Sequence, residues 1–103
     1  LSDDEFDIFC TASLFPSLTW LRLRNIGLNT KMLTRLIQSP VLKKVLRLEL
    51  TGNYLDDNSM AVLAGCDRCS GLQFLDLSNN SITESGAATL RHSESLKNAT
   101  IVI

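Results

Sequence analysis

The chain has 103 residues, of which 45% are hydrophobic and 20% are charged, and its formal net charge at pH 7 is −1. This composition predicts one folded domain, 1–103, and lacks the strong positive charge that is typical of nucleic-acid-binding proteins. No apolar run approaches the roughly 20 residues that a membrane-spanning helix needs. Neither nucleic acid nor a membrane is therefore an expected partner.

The first predicted element is a helix that starts after Ser2. Ser2 and Glu5 have the spacing of a capping box, in which two side chains satisfy free backbone N–H groups at a helix start. Phe6 and Phe9 lie three residues apart, as apolar residues on one helix face do. The sequence therefore predicts a short helix with one apolar side.

A strand, a turn and a helix then recur with a period of 27 residues. The three matching stretches read LTWLRLRNIGL from Leu18, VLRLELTGNYL from Val45 and LQFLDLSNNSI from Leu72. Apolar residues occupy their first, fourth, sixth and eleventh positions. A fixed period of this length is typical of repeat architectures, in which each unit buries its apolar side only against its neighbours. Strands are predicted near residues 18–25, 45–52, 72–79 and 99–103.

Each turn leads into a predicted helix. Asn29, Asp56 and Thr83 occupy one position of the unit, and their side chains can accept a hydrogen bond from a free N–H group at a helix start. Pairs of apolar residues follow at a spacing of three, which places them on one helix face. The pairs are Leu33 and Leu36, Met60 and Leu63, and Ala87 and Leu90. A further apolar column, Phe15, Leu42, Cys69 and Leu96, precedes the strands.

The last strand, in the segment ATIVI, has an ambiguous register. Under a strict period, Ala99 and Val102 are its first and fourth positions, so Val102 would point into the core. A shorter unit that starts at Leu96 also fits the apolar spacing. Because side chains alternate along a strand, the register decides which of these residues face the core.

The pattern LxxLxLxxNxL resembles the signature of leucine-rich-repeat proteins, and the repeat length with its helical segment resembles their ribonuclease-inhibitor-like subclass. The resemblance covers essentially the whole chain, although Ile26 stands where the signature has asparagine or cysteine. It implies an α/β fold: a right-handed, horseshoe-shaped solenoid segment of about four repeats, with a parallel concave sheet and outer helices. Since the chain begins at the eleventh position of a unit and stops inside a strand, we expect a fragment of a larger protein, or a processed chain. The alternative is a small protein whose ends pair with another chain, by stacking on further repeats or by end-to-end association.

Asn53 and Asn80 occupy the ninth position of the two best-matching units. The resemblance implies that each amide hydrogen-bonds the backbone of its strand-to-helix turn, and that the amides form a ladder along the solenoid. An amide carries both donors and an acceptor, which a buried turn with unpaired backbone groups requires. We therefore predict a structural role for both residues.

The reactive side chains predict neither a cofactor nor catalysis. Cys66 and Cys69 form a CxxC pair, with Cys10 and His92 at nearby repeat positions, but a structural zinc site needs four ligands with defined spacing. A redox pair is not favoured either, because no thioredoxin-like βαβ context surrounds the two cysteines. His92 has no paired nucleophile in a known motif, so the chain is not predicted to be an enzyme. The odd number of cysteines indicates a reducing compartment, the cytoplasm.

The strand positions that point away from the core carry the predicted partner site. The third position reads Trp20, Arg47 and Phe74, and parallel strands about 4.8 Å apart would join these residues into a stripe. Aromatic residues beside arginine are typical of binding hot spots. The alternative is that the two rings simply stack on Arg47 as neighbours across the strands. The predicted site also includes the flanking residues Arg22, Arg24, Glu49 and Asp76.

Charge is unevenly distributed along the chain. Seven Lys and Arg residues, and no acidic residue, lie between Ile8 and Leu48, with acidic residues on both sides. One interpretation is that this basic block forms part of a partner surface. The other is that its charges are solvated and balanced by acidic residues of neighbouring repeats.

Together these features predict a protein–protein interaction module that binds another protein, of unknown identity, through its concave face. Four short strands expose only about a few hundred Å², less than the roughly 800 Å² per partner of a standard interface. The partner must therefore also contact loops or helices, or further repeats must exist. Proteins with similar repeats leave three alternatives: a sensing or autoinhibitory segment of a nucleotide-binding immune receptor, the substrate-recruiting part of a ubiquitin-ligase adaptor, and a GTPase-activating protein.

Overall fold

Four short strands form one parallel sheet in the order in which they occur along the chain. The structure is a computed structural model that describes residues 2–11 and 17–103, so the predicted apolar position of Phe15 lies outside the described residues. Each strand lies within the segment predicted for it. The strands are β1 (Trp20–Arg22), β2 (Arg47–Glu49), β3 (Phe74–Asp76) and β4 (Thr100–Val102).

The described residues also form four α-helices, which complete the α/β fold, and each of these helices contacts the next one along the chain. They are α1 (Asp3–Thr11), α2 (Thr30–Ile37), α3 (Asp57–Ala64) and α4 (Glu84–Arg91). Short 3-10 helices at Pro40–Lys44 and Asp67–Gly71 lead into β2 and β3. Parallel strands need a crossover connection, and α2, α3 and α4 supply it between successive strands.

The repeated leucines form the core. Leu21, Leu48 and Leu75 lie side by side in the first three strands, and all three are buried. The apolar helix residues predicted for the core are buried as well, among them Met60, Leu63, Ala87 and Leu90. Burying one such aliphatic side chain contributes about 1.5–3 kcal/mol, so the core shared between units is the main source of stability.

The register of β4 differs from the strict period. Ile101, not Val102, lies beside Leu75, and Val102 lies beside Asp76. Ile101 is half-buried and packs against the core, whereas Val102 is exposed. The prediction of Ala99 and Val102 as first and fourth positions is therefore wrong. The loop before β4 is one residue shorter than its counterparts, and a one-residue shift reverses which side chains face the core.

Three of the predicted helix caps are present. Each side-chain oxygen accepts a hydrogen bond from the backbone N–H three residues further on, at 2.9–3.1 Å. The caps are Ser2 to Glu5, Asn29 to Met32 and Asp56 to Ser59. At Asp56 the Ser59 hydroxyl also accepts the Asp56 N–H, which makes a complete capping box.

The fourth helix is capped by a residue of the preceding helix. Thr83 is the N-cap residue of α4, but its side chain accepts no capping hydrogen bond, so this prediction is wrong. Instead, the Thr83 hydroxyl and N–H both donate to the carboxylate of Asp57, as does the N–H of Gly86. The Thr83 donors, followed by the Gly86 N–H, lower the pKa of Asp57. Asp57 therefore joins α3 to the start of α4.

Candidate functional site

The third positions of the first three strands form a continuous stripe on the sheet. Trp20 lies beside Arg47, and Arg47 lies beside Phe74. Trp20 is 53% exposed and Phe74 is half-buried. Since the leucines between these positions already fill the core, folding does not require a large aromatic side chain at Trp20.

Two arginines lie over the aromatic rings of the stripe. The Arg47 guanidinium is 5.1 Å from the Trp20 ring centroid and 4.2 Å from that of Phe74, and Arg22 is 5.3 Å from Trp20. These distances are within the roughly 6 Å at which a cation is attracted to an aromatic face. The stacking that was the alternative interpretation of the stripe is thus present. We name Trp20, Arg22, Arg47, Glu49 and Phe74 together the Trp20 cluster.

Glu49 lies at the centre of the Trp20 cluster. Its Oε2 accepts a hydrogen bond from the Trp20 indole N–H and is 3.4 Å from Nε of both Arg22 and Arg47. Burial of this carboxylate raises its pKa, but the Trp20 hydrogen bond and the two arginines outweigh burial and lower the pKa of Glu49. The ionised carboxylate therefore fixes three exposed side chains in one arrangement.

The burial of Glu49 was not predicted from the sequence. Its position on the strand points away from the leucine core, yet Glu49 is only 8% exposed. The cause is the size of its neighbours, because Trp20 and the two arginine side chains cover the carboxylate. One sequence signal could have indicated this contact. It is a glutamate on the strand next to a tryptophan, with an arginine directly across from each of the two.

Two of the seven predicted site residues lie outside the Trp20 cluster. Arg24 follows β1 and is exposed. Asp76 lies beside Glu49 in the sheet, and its Oδ1 accepts hydrogen bonds from the Ser78 N–H at 3.0 Å and the Ser78 hydroxyl at 2.7 Å. Asp76 thus stabilises the turn after β3, while Arg24 is available to solvent.

Part of the basic block pairs with acidic residues at its two borders. Arg22 and Arg47 pair with Glu49, which directly follows the block, and Arg35 Nη1 lies 2.9 Å from Oδ1 of Asp7, which precedes it. This is the charge balance between neighbouring units that the second interpretation expects. The Arg35 and Asp7 side chains are 33% and 44% exposed, so solvent screens this pair only in part.

Asn53 and Asn80 make the same hydrogen bonds one period apart. Asn53 Nδ2 donates to the carbonyl of Leu23 at 2.8 Å, and its Oδ1 accepts the N–H of Leu28 at 3.0 Å. Asn80 Nδ2 donates to Leu50 at 2.9 Å, and its Oδ1 accepts from Leu55 at 3.0 Å. Each amide also donates to the strand end of its own unit. Each asparagine therefore ties its own turn to the turn of the preceding unit.

A second column of the turn escaped the sequence analysis. Asn25, Gly52 and Asn79 occupy the eighth position, and all three have positive φ, at 54°, 69° and 59°. Glycine adopts this left-handed conformation without strain, and asparagine tolerates it better than most residues. The alternation of Asn and Gly at one repeat position was the available signal for this turn.

The three cysteines are free and buried. Cys69 Sγ donates a hydrogen bond to Cys66 Sγ at 2.7 Å. Cys10 lies in another part of the fold, on α1, and His92 is exposed with Nδ1 2.8 Å from the Ala88 carbonyl. Across residues 2–11 and 17–103, no group of three or more His, Cys, Asp or Glu side chains could hold a metal ion.

No protein-family model matches the chain, and no curated protein is significantly similar to it. Among the helices of the described residues, none combines the length and the apolar composition that crossing a membrane requires.

Proposed function

We propose that the chain is a segment of a right-handed leucine-rich-repeat solenoid with about four units, whose parallel sheet forms the concave wall and whose helices form the outer wall. Three observations support this proposal. Strand partners such as Trp20 and Arg47 are 27 residues apart, and the helices contact one another in chain order. The third observation is that Asn53 and Asn80 repeat one set of hydrogen bonds.

The function that we propose is binding of another protein through the sheet face that carries the Trp20 cluster, without a catalytic step. The observation that carries this proposal is an exposed tryptophan held in place by a buried carboxylate. The Trp20 indole is fixed by its hydrogen bond to Glu49 and by Arg22 and Arg47. Because an already ordered side chain loses less conformational entropy on binding, Trp20 suits the centre of an interface.

The charges of the Trp20 cluster indicate the chemistry of the partner. Glu49 is buried and paired, whereas the side chains of Arg22 and Arg47 stay 47% and 46% exposed. Arg24 adds a further exposed cation next to them. The proposed partner surface therefore combines an apolar group that contacts Trp20 with carboxylates that pair with the arginines. Electrostatic attraction between these opposite charges also speeds association.

We also propose a cytoplasmic location. The free thiols of the three cysteines support it, because a reducing compartment keeps thiols unpaired.

Peptide selection on the immobilised chain tests the proposed surface. Peptides selected from a displayed random library should be enriched in aromatic or aliphatic residues beside Asp or Glu. Trp20→Ala or Phe74→Ala should weaken binding of these peptides by about thirtyfold, equivalent to about 2 kcal/mol. Affinities measured by calorimetry for each variant give the comparison.

Tyr54 provides the matched control. It is an aromatic residue that is 73% exposed, more than Trp20, but it lies in the turn after β2. Tyr54→Ala should change affinity by less than about threefold. Arg35→Ala, on α2, should likewise have little effect. If the selected peptides bind Trp20→Ala as tightly as the unmodified chain and lose affinity with Arg35→Ala, the working surface lies on the helices and the proposal is wrong.

A further inference from the structure

Cys66 and Cys69 lie between α3 and β3 in a geometry that suits a disulfide. Their sulfur atoms are 2.7 Å apart, and the Cys69 N–H donates to the Cys66 carbonyl at 3.1 Å. A turn of this kind keeps the first and fourth Cα atoms within about 7 Å. A disulfide needs a Cα separation of about 4.4–6.8 Å, so the backbone turn already has the required span.

Cys66 borders a surface pocket, although its residue is only 5% exposed. Cys66 lines an open surface pocket of about 240 Å³, whose wall also includes Gln38, Gly65 and Arg68. Cys69 does not line this pocket and is only 1% exposed. A small reagent in the pocket is therefore closer to Cys66 than to Cys69.

Taken together with an adjacent pocket, this pocket has a small excess of positive charge. Arg68 Nη1 donates to the Gln38 carbonyl, which holds the guanidinium between this pocket and an adjacent one of about 400 Å³ that Lys43 also lines. Asp67 is the one carboxylate among the lining residues of the two pockets. Two cations against one carboxylate favour an anionic reagent.

We propose that Cys66 and Cys69 form a redox-active dithiol that a small anionic disulfide, such as glutathione disulfide, oxidises to an intramolecular disulfide. This activity is independent of partner binding by the Trp20 cluster. It replaces the expectation, based on the missing thioredoxin-like context, that the CxxC pair has no redox role. The proposed reactivity depends instead on two features, the short distance between the two sulfurs and the open pocket at Cys66.

The reaction has two exchange steps. The Cys66 thiolate attacks one sulfur of glutathione disulfide, the S–S bond of the oxidant breaks, and the first glutathione leaves and takes up the proton that Cys66 lost. Cys69 then loses its proton and attacks the Cys66 sulfur, and the second glutathione leaves and is protonated. Two electrons pass from the two cysteines to the oxidant, which becomes two molecules of glutathione.

The surroundings of the two thiols agree with these different roles. The hydrogen bond from Cys69 lowers the pKa of Cys66 to about 7 against the effect of burial, with help from backbone N–H groups and the charge of Arg68. The contact with Cys66, together with burial, raises the pKa of Cys69. The thiolate is the nucleophile in disulfide exchange, so Cys66 attacks first and Cys69 resolves the mixed disulfide.

Cys10 is the internal control. It is as buried as Cys66 and also lines a pocket, next to Asp7 and Arg35. Burial, with a contribution from Asp7, raises the pKa of Cys10 to about 11. No second sulfur is paired with it among the described residues. Cys10 should therefore stay reduced under conditions that oxidise the other two cysteines.

Mass spectrometry of the folded chain after incubation with glutathione disulfide tests the proposal. The expected product has lost two hydrogens, carries no glutathione, and keeps one alkylatable thiol that peptide mapping assigns to Cys10. Cys69→Ser should instead accumulate one glutathione on Cys66, and Cys66→Ser should react at least about tenfold more slowly. Circular dichroism should show that both variants are folded. Oxidation of the pair only after denaturation, or modification of Cys10 as fast as Cys66, overturns the proposal.

The charge of the oxidant gives a second test. Glutathione disulfide should oxidise the pair at least about threefold faster than the cationic disulfide cystamine, after each rate is divided by that of a free dithiol. Lys43→Gln should reduce this preference, whereas Lys31→Gln, an exposed position of α2, should leave it unchanged. Equal normalised rates with both oxidants would show that the site does not select an anionic disulfide.

Discussion

The indole N–H of Trp20 donates to Oε2 of Glu49, a buried carboxylate on the neighbouring strand. Trp20 is the only tryptophan of the chain, so its fluorescence reports on the charge state of Glu49. The same contact links stability to the proposed function. Trp20 covers the Glu49 carboxylate, and the carboxylate in turn holds Trp20, the most exposed aromatic ring of the Trp20 cluster, in one orientation.

Glu49 should make the protein sensitive to acid. Its folded pKa lies below the ordinary value of 4.5, since Trp20 and the two arginines outweigh the opposing effect of burial. The unfolded chain therefore binds this proton first as the pH falls. The stabilisation from ionised Glu49 is complete above about pH 4.5 and is lost as the pH falls through the folded pKa.

Glu49→Gln isolates this effect. The variant should be less stable than the unmodified chain near neutral pH, and its stability should fall less steeply below about pH 4.5. Denaturant midpoints followed by Trp20 fluorescence across this range give both curves. If the two curves stay parallel through the acid range, Glu49 is not the group whose protonation destabilises the fold.

Asn80→Ala should destabilise the protein by about 1–3 kcal/mol. The substitution leaves the buried Leu50 carbonyl and the Leu55 N–H without their amide partner. Ser81→Ala, at the adjacent exposed position, should cost less than about 0.5 kcal/mol, because the Ser81 backbone bond to Leu55 is unaffected. Equal denaturant midpoints for the two variants would contradict the role of Asn80 in the turn.

Gly52→Ala should destabilise the protein by about 1–3 kcal/mol. Gly52 has φ of +69°, and an added Cβ would lie 1.8 Å from the side-chain oxygen of Asn25. Gly71→Ala is the matched control, because a Cβ at Gly71 would have no atom within 4 Å. Thermal unfolding should therefore separate the two glycine variants, and a similar loss of stability in both would show that the left-handed conformation of Gly52 is not required.

Gly86→Ala should destabilise the protein although it lies in a helix. Helix propensity alone favours Ala over Gly by about 1 kcal/mol. An added Cβ would, however, lie 2.3 Å from Oδ1 of Asp57 and displace the carboxylate that caps α4. Ser85→Ala, on the exposed side of α4, should stay within about 0.5 kcal/mol. A gain in unfolding free energy for Gly86→Ala would mean that Asp57 is dispensable as the cap.

The sequence predicted those features that depend on one residue type recurring at one position. The strands, the buried leucines and the N-caps at Asn29 and Asp56 all follow from similar residue types that recur at one position of the repeat. The register of β4 stayed ambiguous, because a loop one residue shorter leaves no periodic trace in five apolar or small residues. The half-buried Ile101 settled that register only through its packing beside Leu75.

The sequence analysis did not predict the contacts between unlike residues of neighbouring units. Thr83 has the correct residue type for a cap, but Asp57 takes its hydrogen bonds. The residues of the candidate site were predicted individually, whereas the arrangement around Glu49 depends on how large side chains of adjacent strands cover one another. The Asp57–Thr83 contact has a counterpart one period earlier, where the Thr30 hydroxyl donates to Asp56 Oδ1 at 3.4 Å, but the two residue types have exchanged positions there.

The hydrogen bonds between Asn53 and the preceding unit have a consequence for synthesis of the chain on the ribosome. The N–H groups of Ile26 and Leu28 bond to a side chain that is translated 25 or more residues later. Until Asn53 leaves the exit tunnel, the turn that contains Ile26 and Leu28 lacks this hydrogen-bond partner, even when the rest of its own unit is complete. Each nascent unit must therefore wait for its successor, and a pause in translation just before Asn53 should prolong the interval in which chaperones can recognise the emerging protein.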